Sequence, residues 1–202
     1  MIPKIIHHVW VGPKPIPDQE KKFIESWKTL HPEYDFVLWK DNNLDKLEMN
    51  DTCKAAMKNA GEKYACQADI VRYIAVNKFG GIYTDTDVLC YKNISNLLEE
   101  KLKFIALRPH NGNWITNAFF ASTPNHPILN SVINNIKDEK YRIDNPYGPT
   151  YLTRHLRSYL NHKGGEVHDF ICEDAKVLDS SFWSINDKEA YCRHYFRASW
   201  RK

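Results

Sequence analysis

The sequence predicts an α/β fold in which a mostly parallel central sheet is flanked by helices. Segments rich in β-branched and aromatic residues alternate along the chain with segments whose apolar residues recur at helical spacing, the order typical of βαβ units. The length of 202 residues and the apolar fraction of 43% suit a single domain with a core of its own.

The first elements are predicted as strand, helix and strand. Residues 4–11 are rich in Ile and Val, which favours a buried strand. After a loop punctuated by proline, residues 19–30 place Phe23, Trp27 and Leu30 at helical spacing. Residues 34–39 alternate as expected of a second strand.

Two helices and a strand are predicted in the middle of the chain. Residues 51–59 form a short helix for which Asp51 is the expected cap. Residues 64–79 form a long helix that the glycine pair at 80–81 ends, and residues 82–84 form the next strand. One apolar stripe of the long helix consists of Ala68, Val71, Ala75 and Phe79.

The second half of the chain carries weaker signals. The predicted strands are residues 103–107, 116–121 and 176–178, and the predicted helices are residues 127–136 and 150–162. The rest of the last forty residues is expected to be irregular.

Composition and charge exclude several classes of protein. The net charge of +3 gives no reason to expect a nucleic acid or a strongly acidic partner. No segment approaches the 18 or so apolar residues of a membrane span, and the first residues lack the apolar stretch of a signal peptide. The five cysteines include no C-x-x-C pair, which favours free thiols and a cytoplasmic location.

Three segments follow predicted parallel strands, where ligands of open α/β sheets bind. They are Trp10-Val11-Gly12, the loop after Trp39, and Asp85-Thr86-Asp87. The sequence therefore predicts a site at this edge of the sheet.

The pair Asp85 and Asp87 indicates a cation site. Carboxylates two residues apart on an extended chain point the same way, and their repulsion favours a cation between or beside them. Such oxygen ligands suit Mg²⁺ or Mn²⁺, which often also hold substrate phosphates. A D-x-D pair also occurs in solvated turns, but its place behind a buried strand favours the site.

Asp69 and Arg72 lie three residues apart on the long helix, and two interpretations stay open. They form either a local ion pair, or a site in which Arg72 contacts a phosphate while Asp69 orients a sugar hydroxyl or Arg72 itself. Trp10 is likewise either a core residue or a platform that stacks on a nucleobase.

The segment from Cys192 to Lys202 combines four cationic side chains with Tyr, Phe and Trp, and it contains no acid. A tail with these groups is suited to dock over a diphosphate, and its cations also suit an anionic membrane surface. His194 is placed to complete the coordination of a metal held by Asp87.

Segments spread over nearly the whole chain combine into one pattern. They are residues 2–12 (IPKIIHHVWVG), 68–73 (ADIVRY), 79–88 (FGGIYTDTDV), 117–121 (NAFFA), 148–150 (GPT), and His194 with Ser199-Trp200. Together they resemble glycosyltransferase family 32, which has a DXD sugar-binding region and includes α-mannosyltransferases and capsular-polysaccharide or lipopolysaccharide sugar transferases.

The resemblance implies a GT-A fold, a Rossmann-like nucleotide-binding fold, over residues 1–202. The donor-binding half is expected at about 1–92 and the acceptor and closing half at about 93–202. It implies retaining transfer from a nucleotide diphosphate-sugar (a UDP- or GDP-sugar) with Mn²⁺ or Mg²⁺. The acceptor is expected to be a glycan or a lipid-linked saccharide in polysaccharide biosynthesis, and a peripheral position at the inner face of a membrane is compatible with it.

The resemblance also implies roles for individual residues. Trp10 stacks on the base, Asp69 and Arg72 bind the donor sugar and diphosphate, Asp85 contacts ribose or a metal-bound water, and Asp87 ligates the metal. Asp69, Arg72 and Asp87 are the expected catalytic residues. The remaining expected contacts are Asn117 in the donor site, His194 as the C-terminal metal ligand, and Ser199 and Trp200 on the diphosphate.

The chain departs from the family pattern at two places. Ala198 stands where a glycine usually precedes the closing Ser-Trp pair, and Tyr195 stands where a second histidine often follows His194. Two other function classes stay open from the residues alone. A metal-dependent nucleotidyltransferase or phosphohydrolase would want more carboxylates, and a non-catalytic carbohydrate-binding module would leave the acids and Arg72 unexplained.

Overall fold

The computed structural model describes residues 1–98, 100–109, 114–137, 146–163, 173–183 and 190–197. The strands are β1 (Ile5–Val9), β2 (Asp35–Trp39), β3 (Gly81–Thr84), β4 (Val88–Cys90), β5 (Phe104–Leu107), β6 (Thr116–Ser122), β7 (Ala175–Leu178) and β8 (Cys192–His194). The α-helices are α1 (Asp18–Leu30), α2 (Asp51–Ala60), α3 (Tyr64–Phe79), α4 (Pro127–Asn134) and α5 (Pro149–Lys163). Short 3-10 helices span Asp41–Leu47, Ser95–Leu97 and Ser180–Trp183.

Six strands form one sheet in the order β2-β1-β3-β6-β5-β7. Strand β1 pairs in parallel with both β2 and β3, and β5 pairs in parallel with β7. Strand β6 runs antiparallel to its neighbours β3 and β5. The carboxyl ends of β1 and β3 and the amino end of β6 therefore lie at the same edge of the sheet.

The two faces of the sheet are covered by two separate apolar clusters. Successive residues of a strand point to opposite faces, so Phe120 packs in the cluster that contains helices α3, α4 and α5, whereas Phe119 packs in the one that contains Trp27 of α1. The α/β class with a mainly parallel sheet and flanking helices, predicted from the alternation of segments, is confirmed.

Strands β4 and β8 form a separate antiparallel ribbon that the sequence did not predict. Each has three residues, and they come from distant parts of the chain, so neither a local periodicity nor a turn signal marks their pairing. The ribbon matters because it brings His194 beside the residues that follow β3: His194 is paired with Val88.

Local details differ from the expectations at helices α2 and α3. The cap of α2 is Asn50, whose side chain accepts a hydrogen bond of 2.8 Å from the Cys53 amide, and Asp51 is instead the first helical residue. Helix α3 has the predicted bounds but is buried all along Asp69–Val76, because it packs against several elements rather than along a single stripe.

Two adjacent histidines of β1, His7 and His8, are buried on opposite faces of the sheet. His7 Nε2 donates to the Gly80 carbonyl over 2.8 Å, and its Nδ1 accepts from Trp39 Nε1 over 3.1 Å. His8 Nδ1 donates to the Thr84 carbonyl over 2.9 Å. Burial lowers the pKa of each histidine to about 4, so both are neutral near pH 7.

Two further expectations concern free thiols and membrane-spanning segments. Cys53, Cys66, Cys90 and Cys192 are buried free thiols, while Cys172 lies outside the described residues. Within the part of the chain that the structure describes, no helix is both long enough and apolar enough to cross a membrane.

Candidate active site

A pocket of about 390 Å³ opens at the sheet edge where β1 and β3 end and β6 begins. Its walls come from Val9 at the end of β1 and the three residues after it, the first half of α3, the turn after β3 (residues 85–87), Asn117 of β6, and His194 and Phe196. This is the edge predicted from strand order. The loop after Trp39 takes part indirectly, because the Asp41 carboxylate accepts a 2.9 Å hydrogen bond from the Gly12 amide.

Arg72 is at the centre of a buried polar network on the pocket wall. Its Nη2 lies 2.8 Å from Asp69 Oδ1, and its Nη1 lies 3.0 Å from Asp85 Oδ1 and donates to the Asn117 carbonyl over 2.7 Å. Burial disfavours the charge on Arg72, but the carboxylates of Asp69 and Asp85 outweigh it and raise its pKa. The guanidinium therefore stays charged.

Asn117 closes the same network from β6. Its Nδ2 donates to Asp69 Oδ1 over 2.8 Å and lies 3.3 Å from the Tyr73 hydroxyl, which in turn donates to the Tyr147 carbonyl. Of the two interpretations of Asp69 and Arg72, the ion pair is present, and both residues also line the pocket. The network fixes these side chains in place before any ligand binds.

Among the described residues, the side-chain contacts of Asp85 fall on one carboxylate oxygen. Tyr83 donates its hydroxyl to Asp85 Oδ1 over 2.5 Å, and Arg72 contacts the same oxygen. Burial raises the pKa of Tyr83 well above its usual value, which keeps the hydroxyl protonated as a donor. Among the described residues both contacts of this carboxylate fall on Oδ1, so Oδ2 is the oxygen left for a further ligand.

Asp87 faces the C-terminal segment. His194 Nε2 lies 3.1 Å from its Oδ1, and the Arg197 amide donates to its Oδ2 over 2.9 Å. Burial acts to raise the pKa of Asp87, but the hydrogen bond and charge of His194 and the Arg197 amide outweigh burial and lower it. Asp87 is therefore a carboxylate at any pH near neutral.

The two acids converge through a turn, not through the extended chain that the sequence suggested. The Val88 amide donates to the Asp85 carbonyl over 3.3 Å, so residues 85–88 form a tight turn. One ligand atom each of Asp85, Asp87 and His194 lies within 4.8 Å of the others. Two carboxylates and an imidazole, beside a third acid and a single arginine, fit a divalent cation in charge and in ligand type.

Two aromatic side chains, Trp10 and Tyr64, also line the pocket. Trp10 is half-buried, and its Nε1 donates to the Lys14 carbonyl over 2.7 Å, which fixes the plane of the indole. Gly12 has a φ of +97°, and a Cβ there would lie 2.7 Å from Tyr64 Cδ1, so the glycine packs directly on that ring. Trp10, Gly12 and Tyr64 together form a narrow apolar wall.

The structure brings most of the predicted site residues into one pocket. Those that line it are Trp10, Asp69, Arg72, Asp85, Asp87, Asn117 and His194. Ser199 and Trp200 lie outside the described residues. The roles of all these residues stay predictions. Among the described lining residues none comes from the GPT segment at 148–150, which leads into α5.

The lining residues that the sequence did not predict as site residues include Lys14, Tyr64, Tyr83 and Phe196. A signal existed for Tyr64, which precedes Ala68 and Arg72 by one and two turns on the same helix face. Tyr83 lies in β3 two residues before Asp85, so strand alternation could have predicted that both side chains point to the same face. Nothing local marks Phe196, whose place depends on the pairing of β8 with β4.

Comparison with known proteins adds independent information. The family model for "Glycosyltransferase sugar-binding region containing DXD motif" matches residues 17–103 of this chain. The matched region includes α1, the helix that carries Asp69 and Arg72, and the turn that carries Asp85 and Asp87.

Several curated relatives are similar in sequence. The chain is 28% identical over 198 residues to "Mannosyl phosphorylinositol ceramide synthase CSH1" of Saccharomyces cerevisiae, which covers 92% of this chain and 52% of that protein. It is 31% identical over 160 residues to "Inositol phosphoceramide mannosyltransferase 3" of Schizosaccharomyces pombe, with 75% and 44% covered. An uncharacterized glycosyltransferase of Acanthamoeba polyphaga mimivirus is 27% identical, with 99% and 84% covered. The chain thus spans about half the length of the yeast relatives and most of the viral one.

Solved structures share the fold. "PaToxG Glycosyltransferase" superposes with a TM-score of 0.68 at 22% identity, over 79% of this chain and 70% of that one. A glycosyltransferase "involved in the glycosylation of the major capsid of PBCV-1" gives a TM-score of 0.51 at 13% identity, over 96% and 95%. These similarities, with the strand order described above, confirm the expected GT-A-type fold.

Proposed function

Because this chain carries a DXD-containing glycosyltransferase region and is a family-32-like protein, we propose that it is a metal-dependent retaining glycosyltransferase. It moves a sugar from a nucleotide diphosphate-sugar, a UDP- or GDP-sugar, to a hydroxyl of a glycan or lipid-linked acceptor. The observation that carries the proposal is the convergence of Asp85, Asp87 and His194 in the pocket that Arg72 also lines.

The charge balance of the pocket supports a cation as part of the site. Among the described lining residues, the three carboxylates of Asp69, Asp85 and Asp87 outnumber the two cations Arg72 and Lys14, and a nucleotide diphosphate is itself anionic. Mn²⁺ or Mg²⁺ held by Asp85, Asp87 and His194 would supply the positive charge that stabilises a diphosphate leaving group. Arg72 adds a fixed positive charge that does not depend on pH near neutrality.

The shape of the pocket orients the donor. The base stacks on Trp10, since every base offers a flat face to an aromatic ring. The diphosphate lies toward Asp85, Asp87 and His194, where the cation site is. The donor sugar then lies next to Asp69 and Asn117, which Arg72 holds in place.

The transfer exchanges one bond for another at the anomeric carbon. The acceptor oxygen forms its bond on the face from which the diphosphate leaves, and the electron pair of the broken C–O bond departs with the diphosphate. The acceptor proton passes to an oxygen of the leaving phosphate. Front-face transfer is proposed because no residue of the sequence stands out as a covalent nucleophile. Transfer on this face retains the anomeric configuration.

The acceptor is proposed from chemistry and from the names of the relatives. Two yeast relatives are named for inositol phosphoceramide or its mannosyl derivative, which favours a lipid-linked hydroxyl, and mannose is a donor sugar to test first. Donor binding is assigned to about residues 1–92 and acceptor binding and closure to about 93–202. Contact of the basic C-terminal segment with an anionic membrane belongs to the same proposal.

The experiment is a ligand screen with a matched pair of variants. UDP, GDP and their sugars are tested by thermal unfolding with and without Mn²⁺, and the matching nucleotide at a hundredfold excess over its dissociation constant stabilises by about 2.7 kcal/mol. Asp87→Asn abolishes the metal-dependent part of this gain, while Asp45→Asn, on an exposed part of the first 3-10 helix, leaves it intact.

Turnover with an acceptor then separates the function classes. Full metal-dependent turnover by Asp87→Asn would show that Asp87 is wrongly assigned. No response to any nucleotide diphosphate in Mn²⁺, together with binding of a free glycan, would replace the transferase with a carbohydrate-binding protein.

A further inference from the structure

Helix α1 contains a buried acid that the proposed chemistry does not use. The Glu20 side chain is 0% exposed, although it lies in the first turn of a helix whose other charged residues face solvent. A carboxylate removed from water is costly unless it is paired. One partner of this carboxylate is Arg197, whose Nε lies 2.9 Å from Glu20 Oε1 across 177 positions of sequence.

Arg197 also contacts the pocket, through its main chain. Its amide donates to Asp87 Oδ2 over 2.9 Å, and two residues earlier the Tyr195 amide donates to the Asp87 carbonyl over 3.0 Å. Residues 195–197 therefore hold Asp87 from two sides. Since His194 Nε2 lies on Oδ1, both carboxylate oxygens are oriented by this segment.

Helix α1 holds the segment at two neighbouring points. Glu20 pairs with the Arg197 side chain, and Phe23, one turn further on the same face, stacks on Tyr195 with ring centroids 4.7 Å apart. Between these anchors Phe196 has a φ of +49°, a left-handed conformation that is unfavourable for a bulky residue. Such a conformation persists only where the neighbouring residues are fixed.

The same conformation directs Phe196 into the site. Phe196 is 67% exposed and lines the pocket, and the centroid of its ring lies 3.9 Å from that of His194. Loss of the Glu20 contact would release the Arg197 side chain and loosen the segment 195–197. Asp87 and His194, which this segment contacts, would then no longer be held in one orientation.

We propose that Glu20 is a positioning residue which, by holding Arg197, sets the orientation of Asp87 and His194 for the divalent cation. Glu20 itself contacts neither the cation nor the donor. This role rests on the proposed function, because it concerns the cation site of that function. Groups that orient metal ligands in this way typically change metal affinity 10- to 100-fold when they are removed.

The experiment measures the cation directly and does not depend on turnover. The dissociation constant of Mn²⁺, with UDP or GDP present, is compared by electron paramagnetic resonance of free Mn²⁺ in wild type, Glu20→Gln, Arg197→Gln and the double variant. We expect about a tenfold weakening in each single variant and no further loss in the double variant. Arg197→Lys, which keeps the charge, retains most of the affinity.

The matched control is Glu25→Gln, on the same helix but exposed and in contact with Lys28 at 3.7 Å, and it leaves the dissociation constant unchanged. A second measurement needs no metal. Hydrogen exchange of the Tyr195 and Arg197 amides in the metal-free protein becomes faster in Glu20→Gln than in wild type. If Glu20→Gln does not fold, Arg197→Gln carries the test, because the Arg197 side chain is 43% exposed.

The outcomes separate the two proposals. Unchanged Mn²⁺ affinity or unchanged amide exchange in folded variants would overturn the role of Glu20 and leave the proposed function standing. A wild-type protein that binds neither Mn²⁺ nor a nucleotide diphosphate would overturn the proposed function and this role with it.

Discussion

Arg72 Nη1 lies 3.0 Å from Asp85 Oδ1, and this contact joins helix α3 to the turn that follows β3. The same side chain pairs with Asp69 and donates to a carbonyl of β6, so one guanidinium connects three elements at the sheet edge. A buried arginine with this many partners is both a structural group and a charge placed at the pocket wall.

Arg72→Lys is expected to lower the free energy of unfolding by about 2 kcal/mol, because one ammonium cannot replace the forked contacts with Asp69, Asp85 and the Asn117 carbonyl. Urea unfolding measures this loss. Donor affinity, measured by titration in Mn²⁺, falls at least about tenfold. Arg154→Lys, an exposed arginine on α5, is the control, and equal losses in both variants would show that the buried network has no special role.

Trp10→Ala is expected to weaken nucleotide binding about 5- to 150-fold, which corresponds to the 1–3 kcal/mol that a stacked base gains from an aromatic ring. Isothermal titration with the matching nucleoside diphosphate measures it. Trp114→Ala removes an indole that is 42% exposed and lies outside the pocket lining, so it leaves the affinity unchanged. If neither variant loses nucleotide affinity, the base does not stack on Trp10.

Gly12→Ala is expected to lose both stability and nucleotide affinity. The new Cβ would lie 2.7 Å from the Tyr64 ring on a backbone with a φ of +97°, so the pocket wall must move. Gly61→Ala is the matched control, since Gly61 has a φ of +54° but no atom within 4 Å of the added Cβ. It costs only backbone strain, about 1–3 kcal/mol, and leaves the affinity unchanged. Parallel thermal unfolding and titration distinguish the two effects.

The free energy of unfolding is expected to fall as the pH falls from 6.5 toward 4. The pKa of His7 and that of His8 are about 4 in the folded protein and near 6.5 in the unfolded chain, which therefore binds more protons in this range. Their contribution is fully present above pH 6.5 and changes by up to about 1.4 kcal/mol per pH unit for each histidine.

Urea unfolding at pH 7, 6 and 5 measures this slope. His8→Gln is expected to reduce the slope by the share of one proton, whatever its effect on the stability at pH 7. An equal slope in wild type and His8→Gln would mean that the pKa of His8 is not lowered by its burial.

The sequence predicts what depends on local pattern and on strand order. The bounds of α3, the sheet edge that holds the site, and Asp85 and Asp87 as a converging pair follow from periodicity and from the rule that ligands lie at the carboxyl ends of parallel strands. It misses what depends on distant pairing. The β4–β8 ribbon and the position of Phe196 arise from contacts between residues about a hundred positions apart, for which three-residue strands carry no signal.

Two local misses have smaller causes. Asn50 and Asp51 are both good helix caps, and composition alone does not decide which residue has the extended backbone that a cap requires. The burial of Glu20 is invisible in sequence, because its partner Arg197 is 177 positions away.

The separation between Asp87 and Arg197, 110 positions along the chain, also has a kinetic consequence. Contacts that close such long loops form after local helices and neighbouring strands in a folding chain. During refolding from urea, the helical signal in circular dichroism should therefore recover before Mn²⁺ binding does. We therefore expect the proposed cation site to assemble late in folding.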